Sequence, residues 1–137
     1  MTWPAVHISQ AIERDPRDVA AFAGDPENLP LWAAGLSAGI RRDGERWVAE
    51  SPMGEVAVAF TGPVEHGVLD HDVTLPDGTI IHNPMRVLRN DAGSEVVFTL
   101  YRRPAMTPEE FEADAATIRE DLSRLRNLVE TPTSEPG

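Results

Sequence analysis

Apolar and polar residues alternate in two parts of the chain, from Ala5 to Glu13 and again, between turns, from Leu36 to Arg103, and this two-residue period predicts β-strands. The first strand is expected from Ala5 to Glu13. Turn signals then recur at short intervals from Leu36 to Arg103, which predicts an antiparallel meander of six further strands. The turns are marked by Asp43-Gly44, Pro52-Met53-Gly54, Gly62-Pro63, Pro76-Asp77-Gly78 and Asn90-Asp91-Ala92-Gly93.

Two short helices are expected between the first strand and the meander. Asp15 followed by Pro16 is typical of an N-cap and a first helical residue, and Gly24 is typical of a helix end. A second short helical segment is expected after Asp25-Pro26, and it carries Trp32.

A period of three to four residues replaces the alternation after residue 106. Thr107, Pro108 and Glu110 predict the start of a long helix with a capping box. Its apolar stripe comprises Phe111, Ala115, Ile118, Leu122, Leu125 and Val129. Because the stripe must be buried and the sheet is the only large apolar surface, the helix is expected to pack on the sheet. We therefore predict one α+β domain over residues 1–130 and a disordered tail over 131–137.

Turn geometry predicts which strand residues face that helix, since register fixes facing. A three-residue loop with Gly78 in the left-handed conformation pairs Val73 with Ile81 and His71 with Asn83. Two-residue turns are expected at Asp43-Gly44, which pairs Ile40 with Trp47, and at Gly62-Pro63, while the loop at Asn90 to Gly93 pairs Asn83 with Leu100. All hairpins agree on one inner face, consisting of Ile40, Trp47, Ala49, Val56, Val58, Phe60, Leu69, His71, Val73, Ile81, Asn83, Met85, Val87, Val96, Phe98 and Leu100.

Polar residues on this face are the best candidates for a functional role, because burying a polar group costs free energy unless the group forms hydrogen bonds. His71 and Asn83 lie opposite each other, and Gln10 lies between apolar residues of the first strand. His71 could orient a ligand carbonyl or act as a general acid or base, or it could be a core histidine bonded to Asn83 or to the backbone. Alternation turns Asp70 and Asp72 to the opposite, solvent-facing side, which argues against a charge relay.

Composition and charge narrow the function classes further. The net charge of −11 argues against a nucleic-acid partner, because phosphate contacts need a basic face. The absence of cysteine excludes disulfides and thiolate catalysis. No apolar run approaches the length of a membrane span and no signal peptide is apparent, so a cytoplasmic protein is expected. Alternation points His7, His66 and His82 away from the inner face, so neither a metal nor a cofactor is expected.

The outer face carries apolar residues as well, which leaves two interpretations open. A homodimer could form through this face, or the face could be partly exposed in a monomer. The residues concerned are Ala57, Ala59, Val68, Ile80, Leu88, Val97 and Tyr101.

The element order, with Asp15-Pro16 followed by Val19 and Phe22 and with the segment Leu29-Pro30-Leu31-Trp32, resembles a known superfamily. It is similar to the START-like proteins, also called SRPBCC or Bet v 1-like, which include polyketide cyclases/dehydrases and lipid-transport proteins. The resemblance covers roughly residues 3 to 130. It implies a helix-grip fold, in which a curved seven-stranded antiparallel sheet wraps around the long C-terminal helix and leaves a pocket for a hydrophobic small molecule.

Three functions fit this interpretation. The first is binding of a small hydrophobic or aromatic molecule in an internal cavity between the sheet and the C-terminal helix. The second is a metal-free polyketide cyclase/dehydratase-like enzyme acting on a reactive carbonyl compound, with His71 and Asn83 as catalytic candidates. The third is a co-chaperone-like protein-interaction module without a small ligand. The candidate ligand-binding residues are Gln10, Trp32, Trp47, Phe60, His71, Asn83, Met85 and Phe98.

Core packing is the alternative role for the aromatic and methionine residues of this set. Trp32 is the best exception, because its helical segment closes one end of the cavity in the resembling fold.

Overall fold

A computed structural model describes residues 1–131 and shows an α+β fold of eight strands and three α-helices. The strands are β1 (Ala5–Ile12), β2 (Ile40–Asp43), β3 (Arg46–Ser51), β4 (Gly54–Phe60), β5 (His71–Thr74), β6 (Ile80–Asn83), β7 (Met85–Asn90) and β8 (Gly93–Tyr101). The helices are α1 (Pro16–Ala23), α2 (Leu29–Trp32) and α3 (Pro108–Glu130). Short 3₁₀-helices span Pro26–Asn28, Ala34–Leu36 and Val64–His66.

The structure confirms the α+β class, the two short helices after β1 and the long C-terminal helix. Apart from Thr131, the predicted tail lies outside the described residues. Within residues 1–131, no helix is both long and apolar enough to cross a membrane.

All strands pair antiparallel, in the orders β1-β8-β7 and β2-β3-β4-β5-β6. The loop before β5 joins the two sheets by pairing with β7. The N–H of Leu69 donates to the carbonyl of Met85 at 2.8 Å, and the N–H of Val87 donates to the carbonyl of Gly67 at 2.9 Å. The strands therefore form one curved surface.

Helix α3 begins with the predicted capping box and buries its apolar stripe. The Thr107 hydroxyl accepts from the N–H of Glu110, whose carboxylate accepts from the N–H of Thr107. Leu122 and Leu125 are fully buried in a core that also contains inner-face residues of both sheets. At the other end, the Arg14 guanidinium donates to the carbonyl of Val129 at 2.8 Å and supplies one of the partners that a helix end needs. The helix is thus fixed along its length against the concave side of the sheet.

Pairings that the turn chemistry predicts are confirmed at three hairpins. His71 pairs with Asn83, Val87 with Val96, and Trp47 with Val58. Gly78 has φ of 89°, the left-handed conformation expected in its loop.

Two other turns differ from the prediction. The β2–β3 turn is shifted, so that Ile40 pairs with Ala49. Residues 61–70 form a longer loop in place of a two-residue turn, and Phe60 pairs with His71. Both differences leave the predicted residues on the inner face, because each shifts the register by an even number of residues.

The prediction of seven strands is wrong, because Pro84 divides one long strand into β6 and β7. Proline has no N–H to donate to a ladder. Strand β6 pairs with β5, whereas β7 pairs with β8. At the break itself, the N–H of Thr99 in β8 donates to the carbonyl of Pro84 at 2.9 Å. This is the last backbone bond to β8 on the way from β7 to β6.

Beyond this bond the strands separate. The ladder between β7 and β8 ends at Met85 and Phe98, so the predicted pairing of Asn83 with Leu100 is not formed. A gap therefore opens between β6 and the end of β8.

The carboxylate of Asp70 holds β7 in place beside the break. It accepts hydrogen bonds from the N–H of Met85 at 2.9 Å and, in a two-pronged arrangement, from the Arg86 guanidinium at 2.9 and 2.8 Å. The expectation that Asp70 faces solvent is therefore wrong, since its side chain is only 14% exposed. The Arg86 guanidinium holds the pKa of Asp70 below its ordinary value.

We expect Asp70→Ala to lower the free energy of unfolding by about 1–3 kcal/mol, because the N–H of Met85 and the guanidinium of Arg86 then lose their partner. Asp72→Ala is the matched control. Asp72 pairs with His82, its side chain is 33% exposed, and its removal should cost less than about 1 kcal/mol. Urea unfolding measures both differences.

The Asp70 effect also has a defined pH dependence. A carboxylate with a lowered folded pKa contributes its full stabilisation above the unfolded value of 3.8 and loses it as the pH falls through the folded pKa. The difference between wild type and Asp70→Ala should therefore be constant above that value and shrink below it. Equal stabilities of wild type and Asp70→Ala at neutral pH would contradict this account.

Candidate functional site

His71 is the centre of the candidate site, and it lies at the start of β5 on the inner face. It is buried, with 9% of its surface exposed. The rings of Phe60 and Phe98 approach it edge-on, with centroids 5.6 and 5.9 Å from the imidazole. These three predicted site residues are therefore brought together, in surroundings that are mostly apolar.

The hydrogen bonding of His71 defines its chemical character. Its Nδ1 lies 2.9 Å from the carbonyl oxygen of Leu69, which can only accept, so Nδ1 carries the proton. Burial lowers the pKa of His71 and favours the neutral ring. In that form Nε2 has a lone pair to which none of the described residues bonds, and this atom keeps some exposure to solvent. His71 can therefore accept a hydrogen bond or a proton through Nε2.

This tautomer corrects one role considered from the sequence. A neutral His71 whose proton is on Nδ1 cannot donate from Nε2 to a ligand carbonyl. Polarising a carbonyl would require the charged ring, which burial disfavours. The role of base or acceptor is the one that fits.

Asn83 lies directly opposite His71 in the β5–β6 pair, as the register analysis predicted. It is half-buried, and its side-chain amide makes no hydrogen bond within residues 1–131. Because opposed side chains of a pair point to the same face of the sheet, Asn83 and His71 form a polar pair on the inner surface. Asn83 can supply both a donor and an acceptor.

A pocket of about 580 Å³ opens at the gap between β6 and β8, and Asn83 is part of its wall. We call this pocket the β6–β8 wedge. Its wall includes Trp3, Ile80, Ile81, Asn83, Leu100 and Tyr101. Sequence reasoning missed Trp3 and Tyr101, whose rings pack edge-on with centroids 6.4 Å apart. Only the pairing of β1 with β8 brings these two rings together, and no local pattern signals it.

Trp32 occupies α2 and is 4% exposed. Its Nε1 is the one buried side-chain nitrogen or oxygen among the described residues that has no hydrogen-bond partner. A buried donor without a partner costs about 1–3 kcal/mol, so this N–H is a candidate donor to a bound molecule. The segment is anchored to α3, since Arg124 donates to the carbonyl of Trp32 at 3.0 Å and Asp121 accepts from the N–H of Ala34 at 3.1 Å.

Trp47 and Phe60 line a second pocket of about 410 Å³, which lies between the sheet and the end of α1 at Gly24. The guanidinium of Arg42 lies 5.3 Å from the centre of the Trp47 ring, as in a cation–π contact. Trp47 and Phe60, two of the predicted ligand-binding residues, therefore line a different pocket from the one that Asn83 lines.

Two of the predicted ligand-binding residues have few groups available to contact a ligand. Met85 is fully buried in the core. Gln10 of β1 pairs with Val96 of β8, and one N–H of its amide donates to the carbonyl of Ala11 at 2.9 Å, which leaves fewer groups for a ligand.

Comparisons with known proteins give no match at the sequence level. No protein-family model matches the chain, and no curated protein sequence matches it either.

Solved structures, in contrast, match nearly the whole chain. A START superfamily protein from Mycobacterium smegmatis aligns with a TM-score of 0.65 and 12% identity, over 92% of this chain and 97% of that one. Ara h 8.0201 aligns with a TM-score of 0.61 and 13% identity, over 92% and 97% of the two chains. DynU16, described as a putative protein in the dynemicin biosynthetic locus, aligns with a TM-score of 0.68 and 16% identity, over 93% of this chain and 47% of that one. The chain therefore has the START-like helix-grip fold.

The buried state of His71 predicts that part of the stability of the protein depends on pH. The lowered pKa means that the unfolded chain takes up a proton near the ordinary value of 6.5 while the folded protein does not. The stabilisation is complete above 6.5 and declines as the pH falls toward the folded pKa, by at most about 1.4 kcal/mol per pH unit.

We therefore expect the free energy of unfolding of the wild type to fall more between about pH 7.5 and pH 5.5 than that of His71→Phe. Urea unfolding at both pH values measures the two slopes. His66→Gln, at an exposed histidine of the loop before β5, is the control and should keep the slope of the wild type. If His71→Phe does not fold, His71→Asn takes its place. Equal slopes in wild type and variant would show that His71 is not held neutral by burial.

Proposed function

We propose that the protein binds a small apolar or aromatic molecule between the sheet and α3, and that the molecule carries a hydrogen-bond donor such as a hydroxyl group. The observation that carries this proposal is the environment of His71. A buried imidazole among aromatic rings presents an unshared lone pair at Nε2, and a ligand hydroxyl would complete its hydrogen bonding.

The surroundings of His71 support the same ligand class. Phe60 and Phe98 make the surroundings of His71 aromatic, and Asn83 adds a polar group on the same face. Elsewhere in the core, on α2, Trp32 has a buried N–H without a partner among the described residues. The START-like fold agrees with this proposal, since the resemblance found in the sequence implies a pocket between sheet and helix.

Cytoplasmic location, the absence of a nucleic-acid partner and a homodimer through the outer face stay predictions from the sequence. Ile80 and Leu88 on that face are 58% and 50% exposed, which is compatible with the homodimer.

The binding proposal predicts a preference for 2-naphthol over naphthalene, which has the same ring system without the hydroxyl. A hydrogen bond worth about 0.5–1.5 kcal/mol corresponds to about twofold to twelvefold tighter binding. The fluorescence of each compound, titrated with protein, gives both dissociation constants. His71→Phe should bind the two compounds equally, whereas His66→Gln should keep the preference. Binding of neither compound, or a preference that persists in His71→Phe, would overturn the proposal.

A second candidate function is favoured by the same tautomer. An unprotonated Nε2 in a buried ring is a general base, and it could remove a proton next to a carbonyl, as a cyclase/dehydratase-like enzyme requires. The side-chain amide of Asn83 would hold the carbonyl oxygen as that proton leaves.

For this enzymatic role we expect the protein to accelerate exchange of the methyl protons of 2-acetylnaphthalene in D₂O. Proton NMR follows the loss of the methyl signal, and buffer without protein gives the background. His71→Ala should return the rate to the background while circular dichroism shows an unchanged fold. Acceleration that survives in His71→Ala would reject His71 as the base.

A further inference from the structure

The β6–β8 wedge crosses the sheet from one face to the other. Four consecutive residues of β6, from Ile80 to Asn83, line it, together with the consecutive residues Leu100 and Tyr101 of β8. Consecutive strand residues point to opposite faces, and β6 and β8 do not pair with each other at these positions, so the lining takes in side chains of both faces across the gap between the two strands. The wedge is therefore a passage between strands.

The edge of β6 that borders the wedge carries backbone groups that no strand within residues 1–131 pairs with. The N–H of Leu75 bonds to the carbonyl of Thr79, and in an antiparallel pair such bonded positions recur at every second residue. Ile81 and Asn83 consequently direct their N–H and C=O groups toward β5, whereas those of His82 point away from β5. Strand β8 pairs with β1 and β7 and leaves this edge open. An entering molecule thus meets hydrogen-bonding groups along the edge.

The two ends of the wedge differ in character. At the outer end lie the ring pair of Trp3 and Tyr101 and the side chain of Ile80, which is 58% exposed. At the inner end lies Asn83, the cross-strand neighbour of His71. The wedge thus extends from an aromatic mouth to Asn83, whose cross-strand neighbour His71 is not itself part of the wall.

We propose that the wedge is the entrance through which a flat, mostly apolar molecule reaches His71, and that the Asn83 amide receives its polar end. The volume of about 580 Å³ lies within the range of about 300–1,000 Å³ typical of small-molecule pockets. Pro84 ends the β6 ladder, and the bonds from Asp70 to Met85 and Arg86 hold β7 in place, so the two edges stay apart. The role of the wedge as an entrance rests on the proposed function, but whether the wedge gives access to His71 can be tested without any ligand.

The chain contains no cysteine, so a single introduced thiol can be labelled selectively. Ile80→Cys, coupled to N-cyclohexylmaleimide, places a bulky group in the wedge. Leu88→Cys with the same label is the matched control, because Leu88 lies on β7, is 50% exposed and does not line the wedge. Circular dichroism checks that both labelled proteins keep the fold.

The first measurement is the rate at which diethyl pyrocarbonate acylates His71, followed by mass spectrometry of the peptides. Exposed His66 in the same molecule is the internal reference. We expect the label at position 80 to slow His71 by about tenfold relative to His66, because the reagent must then wait for local opening of the fold. The label at position 88 should leave the ratio unchanged. Equal ratios in the two labelled proteins, or a His71 that does not react even without a label, would overturn the proposal.

The second measurement is the stopped-flow kinetics of 2-naphthol binding to the same proteins. An obstructed entrance should lower the association and dissociation rate constants by a common factor of about ten and leave Kd unchanged. A weaker Kd with an unchanged association rate would mean that the wedge is itself the binding site and not an entrance. Failure of every protein to bind 2-naphthol would contradict the proposed function, while the acylation rates would still decide whether the entrance exists.

Discussion

The burial of the α3 stripe against the concave side of the sheet is the interaction on which the rest of the structure depends. Leu122 and Leu125 are fully buried there, in one core with residues of both sheets. This contact defines an inside and an outside for every strand, because alternate residues must then be apolar or tolerate solvent. The ends of α3 are held by the capping box at Thr107 and by the bond from Arg14 to the Val129 carbonyl. The packing of α3 on the sheet therefore determines which strand residues lie on the inner face.

The same constraint explains how much could be predicted from the sequence. The facing of His71 and Asn83 was correct although two turns were wrong. A register that shifts by an odd number of residues would expose the apolar face, whereas an even shift leaves every residue on its side. Burial thus selects among registers more strongly than turn residues do. Turn residues alone could not distinguish a two-residue turn at Gly62-Pro63 from the longer loop that the structure has.

What could not be predicted depends on contacts between distant parts of the chain. Pro84 was visible in the sequence, but its effect depends on Asp70, which bonds the first N–H of β7 and the Arg86 guanidinium. Period-two alternation placed Asp70 outside, and it carries no information about a partner sixteen residues away. The wall of the wedge likewise combines Trp3, just before β1, with Tyr101 at the end of β8, two residues that are far apart in the sequence. Such a site is defined by where strands stop, which local patterns predict poorly.

The polar groups of the interior differ in whether they can donate or accept a hydrogen bond. A ligand carbonyl needs a donor, and neutral His71 with its proton on Nδ1 offers only an acceptor. The buried N–H of Trp32 and the amide of Asn83 are donors without partners in the described part of the chain. A molecule with both a hydroxyl and a carbonyl oxygen would bond to an acceptor and to a donor together, whereas a pure hydrocarbon would bond to neither. The polar groups of this interior therefore favour oxygen-bearing aromatic molecules over simple lipids.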